Sequence, residues 1–125
     1  MLDINDTKLL DEAKKFYRKI GSIICPALDN ERVYFNKHGW NHLIRKGRKF
    51  REFQEQNRRI LLLSQAIQII QNTKSVCRHR LTKKAGSVGH FWEIRGFGLL
   101  NSEQIKIHVI LRRKNDGLLH FFSVF

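Results

Sequence analysis

The sequence predicts an α+β fold, with N-terminal helices packed on a C-terminal antiparallel sheet of about four strands, and three observations carry that expectation. Apolar residues recur at helical spacing up to Asn72. After Asn72-Thr73 the texture changes to short runs suited to strands, and Asn115-Asp116-Gly117 separates the last two runs as a hairpin signal, because an Asp-Gly pair tolerates the positive φ of a tight turn. Helices followed by an antiparallel meander pack on one face of the sheet.

Leu9, Leu10, Ala13, Phe16, Tyr17 and Ile20 define an amphipathic helix over about residues 6–20, with Asp6 or Thr7 as its cap and Gly21 as its stop. Pro26 sits in a turn flanked by Ile23-Ile24 and Arg32-Val33-Tyr34-Phe35, either of which suits an edge strand. A helix over about 37–49 places Trp40, Leu43, Ile44 and Gly47 on one side, and His42, Arg45, Lys46 and Lys49 together on the other. The next helix, about 52–72, carries Phe53, Ile60, Leu63, Ile67 and Ile70 on one face. Leu62, Ala66 and Ile69 widen that arc, so this helix is buried on more than one side, leaving Arg58, Gln65, Gln68 and Asn72 as its polar stripe. Strands are expected over residues 75–81, 90–95, 104–112 and 118–125. Gly86-Ser87-Val88-Gly89 connects the first two, and Gly96 and Gly98 mark a turn or bulge.

The formal charge is +13 but unevenly placed: residues 1–31 hold five Lys/Arg against six Asp/Glu, so residues 32–125 carry +14 with only five acids. Such a field concentrates phosphates and gives affinity by counterion release, which points to a polyanionic partner. With 42% apolar residues the chain is too hydrophobic for a disordered basic tail, and 125 residues support one domain with its own core. Met1 to Asp6 has neither the cationic nor the apolar region of a secretion signal. No later apolar run reaches the ~20 residues of a membrane span, so a cytoplasmic location away from membranes is expected. In a reducing compartment Cys25 and Cys77 are small core residues rather than a disulfide.

In the run 104–112, alternation sends Ile105, Ile107, Val109 and Leu111 to the core and Lys106, His108, Ile110 and Arg112 to the opposite face. Arg95 ends a neighbouring run and His120 lies just beyond the hairpin from Arg112, so cations and imidazoles converge on the open sheet face. Such a set suits RNA cleavage by 2′-OH transesterification. That reaction needs a proton acceptor, a cation for the crowded phosphorane and a proton donor for the 5′ oxygen, and the substrate supplies its own nucleophile. Arg78 and Arg80, in an acid-free run from Lys74 to Lys84, suit a segment that tracks a nucleic-acid backbone, and Trp92 and Phe122 are aromatics that alternation can bring to the open face. Metal chemistry is poorly served. His38 and His42 have helical zinc spacing but no Glu follows the first, and the acids after Arg32 are scattered, so no metal and no cofactor is expected.

Three segments together resemble a known group. They are Val33-Tyr34-Phe35-Asn36-Lys37-His38-Gly39-Trp40-Asn41-His42, the long apolar helix behind it, and the ending Ile105-Lys106-Ile107-His108-Val109-Ile110-Leu111-Arg112-Arg113 with Gly117-Leu118-Leu119-His120-Phe121-Phe122-Ser123-Val124. Their layout is similar to phage and plasmid nucleases of the barnase/EndoU/colicin/RelE-like (BECR) superfamily. The resemblance covers roughly residues 33–125 and implies a single domain over 1–125, with 1–31 an N-terminal helical extension and 32–125 a nuclease-like core. It implies a metal-independent endoribonuclease toxin with catalytic residues His42, Lys106, Arg112 and Ser123 and with Arg95 as an accessory cation. RNA would be held by Arg45, Lys46, Lys49, Arg78, Arg80, His108, Arg113 and His120, and the neutralising partner would be an acidic antitoxin or immunity protein. Ser123 shares alternation phase with Phe121 and Phe125 rather than with His120, which would turn it to the core. The alternatives are a non-catalytic nucleic-acid-binding module using the same patch, and an effector that inhibits a host protein.

Overall fold

A computed structural model describes residues 4–125, with side chains from residue 7 onward. The elements are α1 (Ile4–Ile20), β1 (Ser22–Cys25), a 3-10 turn (Pro26–Leu28), β2 (Glu31–Tyr34), α2 (Lys37–Ile44), β3 (Arg45–Lys46), β4 (Lys49–Phe50), α3 (Phe53–Asn72), β5 (Arg78–Lys84), β6 (Ser87–Leu100), β7 (Glu103–Lys114) and β8 (His120–Val124). The class is α+β, but the sheet is larger than the four expected strands. Six strands in the order β1-β2-β8-β7-β6-β5 form a curled, mixed sheet. β5 to β8 make the antiparallel meander; β1 and β2 add a hairpin that joins β8 through one parallel pairing, Tyr34 with His120. Two four-residue strands carry little alternation, and nothing local records that an early hairpin closes onto the last strand.

α3 packs across the sheet. Its Leu62, Leu63, Ala66, Ile69 and Ile70 are buried with Ile94, Ile107, Val109, Leu111 and Val124. Gly96 and Gly98 make this approach possible and mark no turn: β6 runs unbroken through both, and a Cβ on Gly96 would lie 2.7 Å from Ile69 Cγ1. Gln65 fastens the same junction, its Nε2 donating to Leu99 O at 2.6 Å while its Oε1 accepts from Leu99 N at 2.6 Å. The N-terminal residues share this core, since Tyr17 and Cys25 are buried in it. α1 reaches back to Ile4, so positions 6 and 7 lie inside the helix and not at its cap position. Cys25 fulfils the expectation of a small core residue, whereas Cys77 is exposed just before β5, donating to Glu93 O.

α2 is shorter than its periodicity suggests. Asn36 caps it, accepting from His38 N at 3.1 Å, and it ends at Ile44 because Arg45 is extended and Gly47, at φ +65°, turns the chain into the β3-β4 hairpin. The freed carbonyls at its end are taken up by Arg51 Nε on His42 O (3.1 Å) and Gln56 Nε2 on Ile44 O (3.3 Å). Thus His42, Arg45, Lys46 and Lys49 do not form one helical face. The β7-β8 connection also departs from a tight turn: Asn115, at φ 54°, takes the positive angle instead of Gly117. No described helix is long and apolar enough to cross a membrane.

Candidate functional site

Alternation along β7 places Lys106, His108, Ile110 and Arg112 on the face away from α3, opposite Phe97, Arg95, Glu93 and Phe91 of β6. β5 extends this open face with Arg78 and Arg80, paired with Glu93 and Phe91. On β8 the phase is changed by a bulge: Ile110 pairs with Ser123 and Leu111 with Phe121, leaving Phe122 as the extra residue. The bulge puts His120 and Ser123 in register with Arg112 and Ile110, yet both are buried, and Ser123, only 3% exposed, is turned inward as its sequence phase suggests, within reach of α3. Its Oγ accepts from Arg59 Nη1 at 2.9 Å, and the same guanidinium donates to Val124 O at 3.3 Å.

α2 lies along β8, and its helical turn sets His38 and His42 one above the other. His38 stands 5.4 Å from the ring of His120, and His42 packs 4.3 Å from the ring of Phe122 with the two planes inclined by 35°. Arg112 covers that same Phe122 ring at 4.6 Å and donates from Nε to His120 Nε2 at 3.0 Å. His120 Nδ1 faces Leu118 O at 3.3 Å, so His120 is the neutral Nδ1–H tautomer. A cleft of about 600 Å³ opens between these groups, lined by His38, Asn41, His42, Arg45, Arg48, Arg112 and Phe122. A second hollow of about 490 Å³ shares His38 and Arg112 and runs on past Arg80, Lys84 and Lys114. The other large cavity, about 640 Å³ between α1 and α3, has Leu10, Ile44, Phe50 and Phe53 in its wall and no imidazole.

The cleft is cationic, and its histidines respond. Burial, then Arg51, Arg59 and Arg112, pull His42 down from 6.5 to about 4. Burial and Arg112 do the same to His120, also to about 4. His38 is lowered by burial, Arg112, Lys37 and Lys114. His42 Nδ1 is buried with no hydrogen-bond partner among the described residues, which leaves Nε2 as the ring nitrogen for a ligand.

Further along the open face lies a set that the sequence reading missed. Glu93, only 8% exposed, accepts from His108 Nδ1 at 3.0 Å and from Arg95 Nε. Burial pushes its carboxyl up, but the bonds from His108 and Arg95 outweigh that and hold it below the ordinary range. His108 stacks 5.0 Å from Phe125. The available signal was a lone acid inside a β-like run, in phase with Arg95. In the sequence His38 reads only as half of a zinc pair, and nothing in the helical pattern singles out Arg59.

The structure thus brings His42, Arg112 and His120 together, with Arg45 at the rim, where its guanidinium covers Phe50 at 4.1 Å. Arg78, Arg80, Arg95 and His108 share the open face but surround Glu93 instead of the cleft. Lys46 and Lys49 sit exposed on the small hairpin. Lys106 is exposed opposite Phe97, six residues from Arg112 and so roughly 20 Å along the strand. Arg113 is on the opposite face, ion-paired with Glu31, and Trp92 joins it there instead of the open face. Among the described residues no group of three or more His, Cys, Asp or Glu is placed to hold a metal ion. No protein family, curated protein or solved structure matches this chain.

Proposed function

We propose that the chain is a metal-independent endoribonuclease of the toxin type, acting in the cytoplasm and neutralised by an acidic antitoxin or immunity protein. The observation that carries the reading is Arg112, fixed between His120 and Phe122 at the wall of a cleft that also takes His38 and His42. The finer assignment of a nuclease-like sheet falls on β5 to β8, and membership of the BECR superfamily rests on the layout of the sequence.

In this reading a phosphodiester binds against Arg112, whose charge stabilises the pentacovalent intermediate. His42, uncharged near pH 7, accepts the 2′ proton through Nε2. His38, the exposed imidazole of the cleft, returns a proton to the departing 5′ oxygen; the bound phosphate offsets Arg112 and Lys114 and so raises its proton affinity. Ser123 is engaged by Arg59 and holds the strand instead of meeting substrate.

A second reading, a non-catalytic RNA-binding module, is favoured by one observation. His42 and His120 are both held at about 4, so they contribute no protonated donor near neutrality. Single-turnover cleavage in EDTA and equilibrium binding, measured on the same variants, separate the two. Under the nuclease reading His42→Ala and Arg112→Ala each lower cleavage ~100-fold or more, with binding weakened only a few-fold, and products end in 2′,3′-cyclic phosphate. Lys106→Ala stays near wild type. Equal, modest losses from all three, or activity abolished by chelation, defeat the nuclease reading.

A further inference from the structure

The face of β5 and β6 opposite the cleft carries an arrangement that no step above uses. His79 and Trp92 are cross-strand partners, and His90 lies two residues before Trp92 on the same side. His79 Nε2 and His90 Nδ1 are 2.9 Å apart, the ring centroids 5.2 Å apart and the planes within 2° of parallel. A ring centroid lies roughly 1.15 Å from each nitrogen, so the separation equals two such radii plus the hydrogen bond. The two imidazoles are therefore coplanar and joined edge to edge. Trp92 stands 5.2 Å from His79 and 5.4 Å from His90, tilted by 13° and 12°. Rings that are not hydrogen-bonded cannot sit that close side by side in one plane, so the indole is layered against the imidazole pair, as in offset stacking. His79 is exposed and His90 half-buried, so part of the plate that they form is open to solvent.

We infer that this His79–His90 plate, backed by Trp92, is a stacking site for one nucleobase of a single-stranded RNA. The inference rests on RNA being the partner but not on its being cut. A flat, extended, hydrogen-bonded ring pair offers a π-surface without reading any particular base edge, which is how sequence-tolerant single-strand binders work. β5 is the edge of the sheet, and it carries Arg78, Arg80 and Lys84 on the cleft side and His79 and Lys83 on the other. A strand leaving Arg112 and Arg80 thus meets cations as far as that edge and finds the plate beyond it.

The probe is a hexamer of 2′-O-methyladenosine, which has no free 2′ nucleophile and so reports binding whether or not the protein cleaves. Its companion is an abasic hexamer with the same number of phosphates. Fluorescence anisotropy at fixed salt should show His79→Ala and Trp92→Leu weakening the adenosine hexamer at least about fivefold, with the abasic strand unchanged. His79→Phe, which keeps a flat ring but loses the hydrogen bond that joins it to His90, should bind more tightly than His79→Ala and less tightly than wild type. The exposed His79 variants guard against misfolding of the half-buried Trp92 variant, and circular dichroism checks all of them. Unchanged affinity in His79→Ala, equal loss for the abasic strand, or a His79→Phe variant as weak as His79→Ala each overturns base stacking. Wild-type cleavage alongside unaltered hexamer binding in His79→Ala defeats the plate alone and leaves the nuclease reading standing.

Discussion

Acid should destabilise this protein through its cleft as the pH falls below neutrality. In the unfolded chain His42 and His120 take up protons near 6.5, but in the folded protein they resist until about 4. Between those values the unfolded state binds more protons, so the stability linked to these groups is full above about 6.5 and drains away as pH falls towards 4. At ~1.36 kcal/mol per pKa unit the ceiling is about 3 kcal/mol for each, and partial hydration of the cleft reduces this to on the order of 1–2 kcal/mol. His38 shifts in the same direction and adds to the loss. For a chain of this size the total should lower the melting temperature by roughly 10 °C between pH 7 and pH 4.5. Glu93 has the opposite chemistry in a lower window: its depressed carboxyl stabilises the fold above 4.5 and gives that up as pH drops through its folded value. Urea unfolding at half-unit pH steps, on wild type and on His42→Leu/His120→Gln, measures the effect; the double variant should flatten the slope above pH 4.5. A wild-type protein equally stable at pH 7 and pH 4.5 would refute the reasoning about how these imidazoles are held.

Three further outcomes follow from the packing and the charge. Gly96→Ala forces a Cβ against Ile69 and should cost about 1–3 kcal/mol in urea unfolding, part of which returns when Ile69→Val is added, a coupling that a double-mutant cycle reads directly. Arg59→Met removes the donor to Ser123 Oγ and Val124 O and should cost about 1.5–3 kcal/mol, with faster hydrogen exchange along β8 while α1 is unaffected. An acidic neutralising protein should associate more slowly as salt rises and should protect the α2 and β3-β4 segments from exchange; a tight complex that leaves those segments unprotected contradicts the assignment of the cleft.

Alternation in β7 was readable because Ile105, Ile107, Val109 and Leu111 stand against Lys106, His108 and Arg112, with Ile110 as the one apolar residue on the second face. Alternation gives the face, however, and says nothing of distance along it, so Lys106 and Arg112 look equivalent in sequence while roughly 20 Å separates them in space. Ser123 shows the limit in another way. Its pairing with Ile110 depends on a bulge at Phe122, set by packing against His42 and Phe91 from distant segments. The apolar positions of α2 fitted a longer helix because Gly47 falls in helical register by coincidence, and the chain turns there because a glycine takes φ +65° at no cost. Glu93 was hidden for a related reason: burial of a carboxylate becomes sensible only when His108 and Arg95 are known to meet it.

The strand order has a consequence in time. β8 follows every other element in sequence yet lies inside the sheet, between β2 and β7. It supplies His120 and Phe122, against which α2 must place His38 and His42. While a new copy is being made, α2 leaves the ribosome roughly 80 residues ahead of β8, several seconds at ~5–20 residues per second, with nothing to align its histidines. The cleft is assembled only when β8 slides into the gap kept for it, so whatever binds between α2 and β8 has no target until synthesis of β8 is complete.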